Sequence, residues 1–156
     1  MKPRLAIGLG NLLMGDDGVG CVVAARLASD PRLPGDVEVV CGGTDLLRYS
    51  REIEGRSRVL VIDALQDDGE PGSILYLDEN SGRLDERQEN AHALSAVQAI
   101  RLLRLTTPVD IRLLGISIGA ARAGAELSRA LAARVPMMVD QVLRLLEAVG
   151  DQPAGV

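Results

Sequence analysis

A chain of 156 residues, 47% hydrophobic and 25% charged, is the size of one soluble domain with one core, and a single domain over 1–156 is expected. Its apolar side chains are mostly Leu, Val, Ile and Ala, with two Tyr and no Phe or Trp, and its formal net charge is −5. That composition argues against stacking on single-stranded nucleic acid, against counterion-release binding to a duplex and against an anionic membrane, and it favours a protein partner or a cation.

Residues 5–8 form a short apolar run ending in glycine and predict a first strand. A glycine-rich turn follows over 8–20, and residues 19–27 continue as a helix that Pro31 and Pro34 end. Residues 37–40 predict a second strand, closed by Gly42 and Gly43; Thr44 or Asp45 caps a short helix bearing Leu46, Leu47 and Ile53. Residues 59–62 are apolar throughout and predict a strand buried on both faces that stops at Asp63. An acidic turn over 66–72 leads to a fourth strand at 74–77, and the polar stretch 78–90 reads as a loop. Ala96, Ile100 and Leu103 lie at helical spacing within 93–105, after His92. A fifth strand is expected at 111–116, and a long helix at 128–149 with Val135, Val139, Val142, Leu146 and Val149 as its stripe and a potential kink at Pro136.

Strands alternating with helices predict an α/β three-layer sandwich, a mostly parallel sheet of about five strands with helices on both faces. Ligands in such sheets sit beyond the carboxyl ends of the strands. The two cysteines, Cys21 and Cys41, are not a CxxC pair and read as buried reduced thiols of a cytoplasmic protein. No apolar run approaches the roughly 20 residues of a membrane span.

Asp16 and Asp17 follow the first strand, Asp63 ends the third, and His92, the single histidine, precedes a helix. Two carboxylates and an imidazole make a divalent-metal set with open positions for water or substrate. Each residue alone reads more simply as a turn acid, a strand-closing acid or an exposed cap; their common position at one end of the sheet is what favours a site. Gly8-Leu9-Gly10 begins like a dinucleotide fingerprint, but Leu13 stands at its third glycine and two carboxylates at the helix entrance repel a pyrophosphate.

The run from Gly8 to Gly20, Gly-Leu-Gly-Asn-Leu-Leu-Met-Gly-Asp-Asp-Gly-Val-Gly, resembles the opening signature of the hydrogenase maturation endopeptidases. Gly42-Gly43-Thr44, Asp63-Ala64 and His92 follow in the order of that family, so the resemblance spans nearly the whole chain. It implies a peptidase that trims a C-terminal extension from the large-subunit precursor of a nickel hydrogenase after nickel insertion. It places metal contacts on Asp17, Asp63 and His92, with the nickel carried by the substrate and zinc as a replacement. Asp17 or Asp16 would then serve as general base, Gly42, Gly43 and Thr44 would border the substrate peptide, and the protein would act as a monomer.

Two positions depart from the family. Cys41 stands where relatives carry an Asp before Gly-Gly-Thr, and Ser117-Ile118-Gly119 replaces a segment with Pro and an acid. The Cys41 departure supports one alternative, a nickel-dependent checkpoint or chaperone that binds the precursor without cutting it. A second alternative, a peptidyl-tRNA hydrolase, shares Gly-Leu-Gly-Asn but needs an early histidine and a basic surface, which this chain lacks.

Overall fold

A computed structural model describes residues 1–67, 69–77, 91–119, 122–124 and 126–148, with the side chains of residues 77 and 91–95 left aside. Five strands form one sheet: β1 (Arg4–Gly8), β2 (Val37–Cys41), β3 (Arg58–Gln66), β4 (Ile74–Leu77) and β5 (Asp110–Ile118), in the order β2-β1-β3-β5-β4. The first four in that order run parallel, and β4 closes the far edge antiparallel to β5. Among the described residues the α-helices are α1 (Val19–Ala28), the single turn α2 (Ser50–Ile53), α3 (Ala91–Thr106) and α4 (Arg129–Ala148).

Side-chain alternation along the strands divides the core into two layers. Ala6, Val37, Leu60, Ile62, Leu114 and Ile116 pack under α1 and α4, and Leu5, Ile7, Val59, Val61, Ile111 and Leu113 pack under α3 with Leu46 and Ile53. This is the three-layer sandwich that the alternating pattern predicts. Val135, Val139, Val142 and Leu146 are buried as the stripe requires, and α4 runs on through Pro136; Val149 lies outside the described residues, as does the predicted loop at 78–90. Among the described residues no helix is long and apolar enough to cross a membrane.

Two strands run further than their sequence suggests. β3 does not stop at Asp63: Asp63, Ala64, Leu65 and Gln66 continue in register opposite Gly115, Ile116, Ser117 and Ile118. The added ladder is possible because Leu65 covers Gly115, where a Cβ would overlap its side chain. Ser117 and Ile118 are consequently buried strand residues, and the loop expected to begin there begins at Gly119.

Candidate functional site

From β1 the chain leads to β2 on one side and to β3 on the other, so strand order reverses at β1, and the crevice at the carboxyl ends of β1 and β3 is where such sheets take ligands. The strand ends are laced by backbone bonds. Leu9 N donates to Ile62 O at 2.8 Å, Gly10 N to Gly43 O at 2.7 Å and Gly42 N to Gly8 O at 2.7 Å. Gly10 has φ 143°, and a Cβ there would overlap the carbonyl of Asp17, so only glycine lets the turn fold back on itself.

That turn fixes the first acids. Asn11 N donates to Asp17 Oδ2 at 3.0 Å, and the 3-10 turn Gly15–Gly18 carries Asp17 into the crevice, 7% exposed. Its neighbour Asp16 points elsewhere. Its Oδ1 accepts from Ser128 N at 2.6 Å, while Ser128 Oγ accepts from Leu131 N at 3.4 Å at the entrance of α4. Gly15 N and Gly124 N add bonds to Gly124 O and Leu13 O, 2.7 and 2.9 Å, so the glycine turn and the segment before α4 are joined. Beside this junction opens a cleft of about 370 Å³ bordered by Gly15, Asp16, Gly119, Arg122 and Ser128.

Asp63 extends past the last residue of β1, since Gly8 pairs with Ile62. Its Oδ1 accepts from Ala64 N at 2.8 Å. Burial pushes its carboxyl up to about 7, with the Asp17 charge acting in the same direction and the Ala64 N–H opposing both. Two carboxylates thus share a poorly hydrated crevice. Their mutual repulsion, and the oxygens left over after the Asn11 and Ala64 bonds, suit a divalent ion. Among the described residues, no group of three or more His, Cys, Asp and Glu side chains is close enough to hold one.

His92 is the second residue of α3 rather than a residue before it. Because α3 ends at Thr106 just ahead of β5, its first turn lies at the carboxyl end of the sheet. Asp63 shares the register face of Val59 and Val61, which α3 covers. The His92 side chain lies outside what is described.

Gly42 and Gly43 follow the end of β2, and Gly43 takes a left-handed φ of 64°. Asp45, not Thr44, caps the short turn after them, its Oδ1 accepting from Leu47 N at 3.0 Å. Cys41 is exposed rather than buried, because it is the last residue of an edge strand; Cys21 is buried as expected. Sequence reasoning passed over Asn11, whose backbone N–H holds Asp17, and the proximity of the two thiols, which no local motif encodes.

The profile of the hydrogenase maturation protease (HycI) family matches residues 21–145. The chain belongs to that family. This maturation protease is 26% identical to the hydrogenase 2 maturation protease of Escherichia coli over 94% of its own length and 92% of the relative's. A stretch of 79 residues is 40% identical to a Methanocaldococcus jannaschii protein, over 49% of this chain and 51% of that one. Among solved structures, the hydrogenase maturating endopeptidase HybD of E. coli superposes with a TM-score of 0.80 at 26% identity, covering 94% of this chain and 93% of that one. The NiFe-hydrogenase maturation protease HybD of Thermococcus kodakarensis gives 0.74 at 29% identity, over 91% and 97%. The matched span of this maturation protease holds Asp63 and His92, and the turn bearing Asp16 and Asp17 precedes it. The protein is an endopeptidase of hydrogenase maturation, which sets aside the checkpoint and peptidyl-tRNA hydrolase alternatives.

Proposed function

We propose that this maturation protease removes the C-terminal extension of the large-subunit precursor of a nickel hydrogenase, in the cytoplasm and as a monomer, after nickel has entered the precursor. The observation that carries the reading is the pairing of Asp17 with Asp63 at the strand-order reversal, where burial and like charge push Asp63 up to about 7. A crevice of that kind is short of positive charge and is completed by an ion that arrives with the substrate; zinc on the protein would serve the same residues less selectively.

In this reading Asp17, Asp63 and His92 add ligands to the precursor's nickel, which fixes the scissile bond in register. Asp17 retains one carboxylate oxygen beyond the one held by Asn11 N, and that oxygen takes a proton from the attacking water. Asp16, already bonded to Ser128 N, anchors the loop. The extended peptide passes along Gly42, Gly43 and Thr44, whose small side chains admit close backbone approach.

The deciding experiment compares cleavage and binding of nickel-loaded and nickel-free precursor by purified protein. Cleavage of the loaded form alone, with at least tenfold tighter binding, is expected. Equal processing of both forms would make the carboxylates an ordinary hydrolytic pair and remove the role assigned to nickel.

A further inference from the structure

Gly8, the last residue of β1, is tightly enclosed. A Cβ there would overlap the carbonyl of Gly20 and come within 2.5 Å of Ala24 Cβ, so α1 lies directly on the last residue of β1. On its other side Gly8 is the register partner of Cys41, and neighbouring strands run about 4.8 Å apart. Cys21, next to Gly20, donates its thiol to Gly8 O at 3.4 Å, with Gly10 O at 3.9 Å. Alternation along β2 turns Cys41 to the face of Val37 and Val39, which α1 covers. The chain's two cysteines thus flank the last residue of β1, one buried and one open to solvent. Burial, and then a hydrogen bond to Cys41, push the Cys21 thiol up to about 12.

We infer that Cys21 and Cys41 form a reversible disulfide by exchange with a low-molecular-weight disulfide, and that the bridge slows processing. The exposed Cys41 thiolate attacks one sulfur of the small disulfide, forms a mixed disulfide and releases one small thiolate, which takes up the Cys41 proton. Cys21 then gives its proton to solvent and attacks the Cys41 sulfur, expelling the second small thiolate, which takes up a proton in turn. Two protein thiols are oxidised, and the small disulfide is reduced to two thiols. Gly8 O keeps Gly42 N as its partner when the Cys21 donor is lost.

The bridge ties α1 to the end of β2. Gly10 N is already bonded to Gly43 O, so a covalent tie two residues earlier, at Cys41, stiffens the segment along which the peptide is proposed to pass. This consequence for activity rests on the function proposed above; the bridge itself does not.

The test treats the full chain with oxidised glutathione and follows intact mass, a non-reducing peptide map, melting and cleavage of nickel-loaded precursor. The expected product is lighter by two hydrogens, joins the Cys21 and Cys41 peptides, melts several degrees higher, and cleaves at least fivefold more slowly until reductant restores it. Cys21→Ser and Cys41→Ser variants, each compared with its own untreated sample, should form no bridge and lose the oxidant-dependent slowing. A persistent glutathione adduct on Cys41 with Cys21 free, or no change in mass, overturns the bridge. A bridge with undiminished cleavage overturns its regulatory role. If reduced wild type does not cleave the precursor at all, the proposed function fails while the mass and peptide map still decide the bridge.

Discussion

Asp63 is a carboxyl kept where its charge is costly, and the cost has a definite pH signature. Its folded pKa of about 7 lies above the unfolded value of about 3.9. Between those two values the folded chain binds more protons than the unfolded one, so this residue makes stability fall as pH rises from about 4 to about 7, with no further change above. Below both values its contribution is absent. Metal-free Asp63→Asn should therefore be more stable than wild type at pH 8 and equal to it near pH 4, when denaturant midpoints are compared across that range. A difference that stays flat would mean that the crevice is better hydrated than its burial indicates. His92 makes the complementary case. It stands in the first turn of α3, ahead of the buried positions Ala96, Val97, Ala99, Ile100 and Leu103, and outside the helical stripe the sequence predicts. His92→Ala is expected to fold with an unchanged melting curve and to lose processing of nickel-loaded precursor by about 100-fold or more, in line with the loss of a metal-directed ligand. Unaltered cleavage would remove His92 from the site.

At the scale of elements, the glycine turn and the entrance of α4 act as one unit through Asp16. Its carboxylate holds Ser128 N at 2.6 Å, and Ser128 in turn caps α4. Asp16→Ala should cost about 1 kcal/mol, the usual scale for a lost cap or an exposed charge-assisted bond, seen as a lower urea midpoint. It should raise KM more than it lowers kcat, because the cleft edge loosens while Asp17 stays on Asn11 N. A fall in kcat beyond 100-fold with unchanged stability would make Asp16 the base instead. The same elements show where sequence was informative. Among the described residues, apolar runs and helical stripes located each strand and long helix, because burial needs those periods. The overrun of β3 past Asp63 was hidden, since an Asp in an apolar run reads as a terminator, and only the partner Gly115 and the overlying Leu65 make the longer ladder favourable. That Asp17 and Asp63 lie after neighbouring strands, near enough for the Asp17 charge to act on Asp63, was legible from the order of strands and loops. The diversion of Asp16 to Ser128 was not, because a contact across 112 residues leaves no local pattern.

Across the whole molecule, the end of the sheet opposite the site is held by Arg4. Its guanidinium is 7% exposed, forks onto both oxygens of Asp36 at 2.6 and 2.7 Å, and donates to Leu146 O at 2.6 Å. Leu146 lies in the last turn of α4, where helix carbonyls lack partners of their own. One side chain thus joins β1, the entry to β2 and the last helix, and keeps α4 seated so that its far end can meet Asp16 at the site. The Arg4 guanidinium holds the Asp36 carboxyl below the usual carboxylate range. A depressed folded pKa stabilises above the unfolded value of about 3.9, and that stabilisation is lost as pH falls through the folded pKa. Asp36→Ala leaves a buried cation with one carbonyl for company. Breaking a fully buried pair costs about 3–5 kcal/mol; with Asp36 one-third exposed (34%) and water able to replace it, about 2 kcal/mol is expected, or roughly 4–8 °C in melting temperature for a chain of this size. Arg4→Met with Asp36→Ala should recover most of that loss, since neither charge is then left unpaired. Melting the single variant, the double variant and the wild type at pH 7 and at pH 2.5 tests the account. The wild-type advantage over Asp36→Ala should shrink at the lower pH, and an advantage independent of both pH and the Arg4 substitution would show that Asp36 acts by packing rather than by charge.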